Sequence, residues 1–164
     1  MQSLNESVKE YTAQLQLGQI QKAYKGIMTF MSSMKTFLEN RHTDYVVSCL
    51  YIGYMDMSYF AFTPIVLKRA SLKIAIVYLH EQNRFEVWLS GANRRVQAEY
   101  INLLKDEYLG DFILSEVKPG VDSIIELKLI EKPDFDNPEK LMRSIEGKVV
   151  EFIVRIEEMF LPLV

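Results

Sequence analysis

One stretch of ten residues limits most strongly how this chain can fold. From Leu72 to Glu81 the sequence alternates in steps of two, and both alternating sets are apolar. A strand of this kind lies in the interior of its sheet and is covered on both faces. We therefore expect four residues of this strand to be almost fully buried, namely Ile74, Ile76, Val77 and Leu79.

The segments on either side predict an α+β domain with a mainly antiparallel sheet of about five strands. β-Branched and aromatic residues favour strands at 45–52, 57–62, 72–81, 84–90 and 123–131. Gln82-Asn83 is typical of a two-residue hairpin connection. Helical spacing returns after Gly91 and predicts one middle helix over about 93–108, while Thr63-Pro64 favours a short helical turn at 65–69. Clustered strands joined by hairpins favour this class over a doubly wound fold.

Two helices begin the chain. Ser3 and Glu6 have the spacing of a capping box, and apolar residues follow at helical intervals up to Gly18. The second helix then runs to about Asn40. Because one glycine joins the two, we expect a helix hairpin.

A long helix follows Asn137-Pro138 and runs to about Phe160. Its apolar residues are spaced 3-4-3-4-3, as in a coiled-coil seam: Met142, Ile145, Val149, Phe152, Ile156 and Met159. Packing on the sheet of the same chain requires one such stripe. Additional apolar residues and the tail Phe160–Val164 indicate a further contact, either with the N-terminal helices or with a second subunit. From this excess of apolar surface we predict a homodimer.

Length and composition narrow the class of protein. The 164 residues fit a single domain over 1–164, and 19 Lys and Arg against 22 Asp and Glu give a net charge of -3. Without a basic excess, nucleic-acid binding is not expected. The lone Cys49 excludes an internal disulfide and fits a reducing cytoplasm. We see no signal peptide, and the longest nearly uncharged stretch, 45–55, is too short to cross a bilayer. We expect a soluble cytoplasmic protein without membrane contact.

Motifs for cofactors and nucleophilic catalysis are not present in the sequence. The seven glycines form neither a dinucleotide fingerprint nor a phosphate-binding loop, and there is no G-x-S-x-G sequence. With two histidines and one cysteine, a zinc site is not expected, and we assign no metal and no cofactor.

One group of charged residues could support an enzyme. Glu126 and Lys128 form an E-x-K pattern on a predicted strand, Asp122 lies four residues earlier, and Asp56 is a more distant partner. Carboxylates with a lysine at one strand end can hold Mg²⁺ and a water nucleophile. The alternative function is therefore a metal-dependent hydrolase or nuclease-like enzyme. The same alternation is also typical of an ordinary solvated strand face.

A second group could bind a ligand. Gly91 leads into a helix start that carries Asn93, Arg94 and Arg95, and helix N-termini attract anions. Arg84 and Trp88 lie on the strand just before it. These five residues are candidates for binding a small anionic ligand. An ordinary strand-to-helix connection with solvated arginines would have the same sequence.

The chain also resembles a known family. The segments that carry the resemblance are Gln21–Gly26, Gly53-Tyr-Met-Asp-Met, Leu72-Lys-Ile-Ala-Ile-Val, His80-Glu81, Arg84–Gly91 and Gly120–Glu126. They are similar to a small bacterial family of uncharacterised proteins, the domain-of-unknown-function family numbered seven thousand. The resemblance covers nearly the whole chain, but the family has no activity and no catalytic residues that can be carried over. From the residues themselves we expect a binding or interaction domain that self-associates, and we leave open whether it is an enzyme.

Overall fold

Five helices and six strands follow one another in residues 1–160, the part of the chain that the computed structural model describes. The helices are α1 (Leu4–Leu17), α2 (Gln19–Arg41), α3 (Ile65–Arg69), α4 (Arg94–Leu104) and α5 (Pro138–Phe160). The strands are β1 (Tyr45–Val47), β2 (Met57–Pro64), β3 (Leu72–Leu79), β4 (Arg84–Gly91), β5 (Ile113–Leu114) and β6 (Ser123–Glu131). The predicted α+β class is confirmed. The sheet has six strands rather than about five, because β5 is too short to show a period of its own.

All strand pairs are antiparallel, in the order β1-β2-β3-β4-β6-β5. The predicted interior position of β3 is confirmed, since it pairs with β2 and β4 along most of its length. Ile74, Ile76 and Val77 are fully buried. The prediction for Leu79 was wrong: it is half-buried, because it is the last residue of β3 before the turn.

Several predicted boundaries differ from the structure, and three of the differences change how elements are connected or paired. Leu79 pairs with Arg84, so the β3–β4 connection has four residues, 80–83, rather than the two of Gln82-Asn83. Regular pairing of the first strand stops at Val47, and only one isolated bridge, between Tyr51 and Tyr59, follows. The middle helix ends at Leu104 rather than near 108. In each case the residue types suit the predicted element, but hydrogen-bonded partners set its end.

One face of the sheet, here called the first face, carries the main core. Register places Phe60, Ile76 and Val87 side by side on β2, β3 and β4, and all three are fully buried. Helices α2 and α5 contribute to the same cluster, for example through Phe30, whose ring lies 5.7 Å from that of Phe85. Burying an apolar side chain stabilises the fold by about 1.5–3 kcal/mol.

The apolar stripe of α5 lies within this core. Val149, Phe152 and Ile156 are buried, and Met142 and Met159 pack against the cluster. One of the two further contacts left open by the sequence, with an N-terminal helix of the same chain, is made by α2. The apolar tail was part of the dimer argument, and its residues 161–164 lie outside the described part of the chain.

Helix α1 differs from the other long helices. The predicted capping box of Ser3 and Glu6 is present, and Gly18 ends the helix in a left-handed conformation. The expected helix pair is present, but α1 has no buried residue. A single linking residue is shorter than the 2–5 residues that usually join antiparallel helices, so α1 does not cover the core as a packed hairpin helix would. No helix within residues 1–160 is long and apolar enough to span a membrane.

Candidate functional site

A cavity of about 290 Å³ lies on the other side of β3, here called the second face of the sheet. Its floor is formed by Ala75 and Val77, and the larger side chains of Tyr59 and Trp88 stand on either side. This arrangement follows from register, because Tyr59 pairs with Val77, and Trp88 pairs with Ala75. Small residues on β3 between aromatic residues on its two neighbours leave a depression. None of the residues that line it belongs to α1, α2, α3 or α5.

The start of α4 closes one end of the cavity. Gly91 is needed there, since a Cβ atom on it would lie 2.7 Å from the backbone nitrogen of Gln97. The Asn93 side chain accepts a hydrogen bond from the Val96 backbone N–H at 3.0 Å and caps the helix. The buried Gln97 amide donates to the carbonyls of Val121 and Ser123. These bonds hold α4 against the end of β6.

The two arginines at this helix start have different surroundings. Arg94 lines the cavity, but its guanidinium donates to the Val121 carbonyl and lies 3.1 Å from Asp122. Arg95 does not line the cavity, is exposed, and pairs with Glu99 at 2.9 Å. The structure therefore separates the predicted arginine pair, and the helix start is occupied by bonds within the chain.

The cation best placed to meet a ligand is Lys73, which the sequence analysis did not select. Its ammonium nitrogen lies 6.0 Å from the centre of the Tyr59 ring. Within residues 1–160 no carboxylate lies within ion-pair distance of it. With Arg94 and Asp122, the lining carries one net positive charge.

The Trp88 side chain is held in place by neighbouring residues of its own strand, β4. Its indole N–H donates to the Glu86 carboxylate at 2.9 Å, and the same carboxylate accepts a hydrogen bond from Arg84. Glu86 is buried, and Arg84 is its ion-pair partner. Arg84 itself does not line the cavity. Its contribution there is to neutralise the carboxylate that orients the indole.

The four candidates for a carboxylate enzyme are not brought together. Asp56 lies beside the β3–β4 turn, where its carbonyl accepts from the His80 backbone N–H. Asp122 lies at the other end of β4, which is about 20 Å away for six residues of strand. Glu126 accepts a hydrogen bond from Ser123, and Lys128 lies 3.8 Å from Glu131. No group of three His, Cys, Asp or Glu in residues 1–160 could hold a metal ion.

A serine and a histidine meet elsewhere, at 2.9 Å between Ser58 Oγ and His80 Nε2. Ser58 is fully buried, and its hydroxyl donates to the Ile52 carbonyl. Burial lowers the pKa of His80, and the nearby Asp56 carboxylate opposes that shift. An enclosed hydroxyl cannot reach a substrate, so this pair holds the 48–56 segment against the sheet.

Sequence reasoning thus found three lining residues, Trp88, Asn93 and Arg94, as ligand candidates, and a fourth, Asp122, in another role. It missed Lys73 and Tyr59. One signal was available, because Lys73 is the only charged residue within β3. The sequence does not show the pairing register, which places Lys73 beside Ser90, or the reach of the Lys73 side chain, whose ammonium nitrogen lies 6.0 Å from the centre of the Tyr59 ring.

The comparisons with known proteins agree with the resemblance seen in the sequence. The sequence model of a family described as a domain of unknown function, DUF7000, matches residues 4–160. No curated protein and no solved structure matches the chain. Since the match covers nearly all of the chain, the protein belongs to this family of domains of unknown function.

Proposed function

We propose that the protein is a binding domain that takes a small anionic molecule in the cavity on the second face of its sheet. The observation that carries this proposal is the Lys73 ammonium group, which has no ion-pair partner within residues 1–160, at an aromatic-walled cavity of about 290 Å³. Ligand sites in proteins are typically apolar hollows of about 300–1,000 Å³ with a few placed polar groups. This cavity is at the small end of that range.

The charges around the cavity support an anion rather than a cation. Lys73 contributes a positive charge that no carboxylate of the described residues pairs with, whereas Asp122 is already paired with Arg94. A ligand carboxylate beside Lys73 would gain a charge-assisted hydrogen bond, which is stronger than a neutral one. A ligand ammonium group would instead meet Lys73 as a like charge.

The test is the thermal stability of the full chain with a panel of small carboxylates and phosphate, against chloride at equal ionic strength. We expect at least one anion to raise Tm beyond the chloride effect, because a ligand that binds only the folded state stabilises it. In Ala75→Leu the added side chain fills the floor and should abolish the response. Lys128→Met, on the same face but outside the lining, is the matched control and should respond like wild type. A panel without any specific response, or an equal response in Ala75→Leu, would contradict the proposal.

A different observation favours a second role, self-association. Leu4, Val8 and Tyr11 on α1 are 78%, 48% and 60% exposed, and with Leu15 they form a stripe spaced 4-3-4. A 14-residue helix without buried residues is marginal in water, even with good caps. We propose that α1 packs against α1 of a second copy. The positions beside the stripe are uncharged, so two identical stripes can meet without like-charge repulsion: Asn5, Ser7, Thr12 and Gln14.

Sedimentation equilibrium at micromolar concentration tests this pairing. We expect a species of twice 19.1 kDa for the wild type. Val8→Lys should give the monomer without unfolding, because Val8 is exposed. Val154→Lys, at a position 46% exposed on α5, is the matched control and should remain a dimer. A wild type that sediments as a single 19.1 kDa species would refute self-association.

The cellular setting proposed here is the cytoplasm of a bacterium. The cysteine Cys49 is free and exposed, which suits a reducing compartment. The bacterial origin is carried only by the resemblance to the family. The carboxylate enzyme is not proposed further, since its four residues do not converge.

A further inference from the structure

The aromatic side chains and the polar groups that line this cavity indicate the class of ligand that it can bind. We propose that it takes a single flat ring that carries one carboxylate, with the ring between Tyr59 and Trp88 and the carboxylate at the Lys73 ammonium group. This inference rests on the proposed anion-binding function and makes it more specific.

The walls favour a ring. Tyr59 and Trp88 rise from the strands on either side of β3, and between them the floor is only Ala75 and Val77. Neighbouring strands are about 4.8 Å apart, and Tyr59 and Trp88 pair with Val77 and Ala75, two residues apart on β3. The two aromatic side chains therefore start about 10 Å apart across the sheet and about 7 Å apart along it, or about 12 Å in all. A ring inserted midway lies about 6 Å from each, within the 4.5–7 Å between centroids that aromatic pairs prefer.

Trp88 is prepared for such a contact. Its only hydrogen-bond donor is already used by Glu86, so the indole offers its carbon surface to the cavity and no polar group. The Arg84–Glu86 pair also holds the indole in one orientation before any ligand arrives. A ring held in advance loses less conformational freedom on binding.

The unused polar groups favour a single negative charge. The Asn93 side-chain oxygen is used by the helix cap, the Gln97 amide donates to two carbonyls, and Arg94 donates to a carbonyl and pairs with Asp122. Lys73 is the one cation of the lining that has no ion-pair partner within residues 1–160. A ligand with a single negative charge matches this cation, whereas a phosphate brings more negative charge than Lys73 alone neutralises. A volume of about 290 Å³ is large enough for one ring with a short arm.

The experiment uses the fluorescence of Trp88, the one tryptophan in the chain. Benzoate is titrated against the full-length protein, with cyclohexanecarboxylate as the non-planar analogue and benzamide as the uncharged one. Isothermal titration calorimetry checks each affinity without relying on the fluorophore. We expect benzoate to change Trp88 emission in a saturable way and to bind at least about 5-fold more tightly than either analogue.

Two matched variants locate the carboxylate. Lys73→Met should weaken benzoate binding at least about 5-fold while binding of benzamide stays within about 2-fold. Lys128→Met should change neither, since Lys128 lies outside the lining. Both lysines are exposed, so neither change should prevent folding.

The outcomes separate this inference from the function on which it rests. Equal affinity for benzoate and cyclohexanecarboxylate, or binding of phosphate alone, would overturn the ring while the anion site survives. Equal loss of affinity in both lysine variants would overturn the role of Lys73. If no anion binds in a way that Ala75→Leu blocks, the proposed function fails and this inference fails with it.

Discussion

Replacing Ile76 with alanine tests the two-faced construction of the sheet. Ile76 is fully buried and lies between Phe60 and Val87 on the helix-covered first face. The change removes three carbon atoms, which at about 0.8 kcal/mol each amounts to about 2.4 kcal/mol of lost transfer free energy. Helices cover this site, so the gap closes only partly and adds a further cost. We expect a total loss of about 3–4 kcal/mol in the free energy of unfolding.

Val77→Ala is the matched change on the other face. Val77 is equally buried, but it forms the floor of the cavity rather than part of the main core cluster. Two carbon atoms are lost, about 1.6 kcal/mol, and the space merely enlarges an existing hollow. We therefore expect about 1–2 kcal/mol for this variant, clearly less than for Ile76→Ala.

Urea unfolding followed by circular dichroism measures both losses. For a chain of this size, each kcal/mol also lowers Tm by about 2–4 °C, so Ile76→Ala should melt roughly 6–16 °C below wild type. A loss under about 1 kcal/mol for Ile76→Ala would mean that β3 is not an interior strand. A Val77→Ala variant that is the less stable of the two would refute the assignment of the main core to the first face.

Two further predictions concern the loops and the helix contacts. Gly53 and Gly120 both have positive φ, but only at Gly53 would an added Cβ atom overlap a backbone oxygen, that of Met57, at 2.0 Å. Gly53→Ala should therefore lower the free energy of unfolding by more than the roughly 1–2 kcal/mol that we expect for Gly120→Ala. Urea unfolding measures both losses, and equal losses would refute the overlap. Burial raises the pKa of Glu146, but hydrogen bonds from Arg41 and His42 outweigh it and leave the pKa below its ordinary value. A carboxylate with a lowered pKa in the folded state stabilises the fold above the ordinary carboxyl pKa, and this stabilisation is lost as the pH falls through the lowered pKa. Glu146→Gln should therefore lower the free energy of unfolding by about 1–2 kcal/mol at pH 6 and by less at pH 3.5. A loss of stability that does not depend on pH would contradict this prediction.

Much of the architecture could be predicted from local patterns. The capping box of α1, the short α3 after Thr63-Pro64 and the start of α5 at Pro138 agree with the structure because each depends on neighbouring residues alone. The interior position of β3 could also be predicted, since both of its faces are apolar. The two-residue hairpin was wrong because the register of Leu79 against Arg84 depends on pairing between strands.

The helix that exposes an apolar stripe in the structure is α1 rather than α5. The stripe of α5 predicted either an intramolecular or an intermolecular contact, and periodicity is the same for both. In the structure α5 packs on the first face and against α2, whereas α1 keeps its stripe exposed. Which helix retains an unpartnered face is decided by tertiary packing, because only packing determines which surfaces are already covered.

The sequence by itself determined the order of the five helices and of every strand except β5, the interior strand and the membership of a family without a known activity. Only the tertiary structure decided the candidate site. Tyr59, Lys73 and Trp88 belong to three strands, and they line one cavity because antiparallel register places the small Ala75 and Val77 of β3 beside Trp88 and Tyr59. The same register keeps Asp56 far from Asp122, which the sequence had grouped. The sequence shows the chemistry of each side chain, but a binding site also depends on which residues of different strands lie side by side. Strand pairing across the whole sheet sets those neighbours.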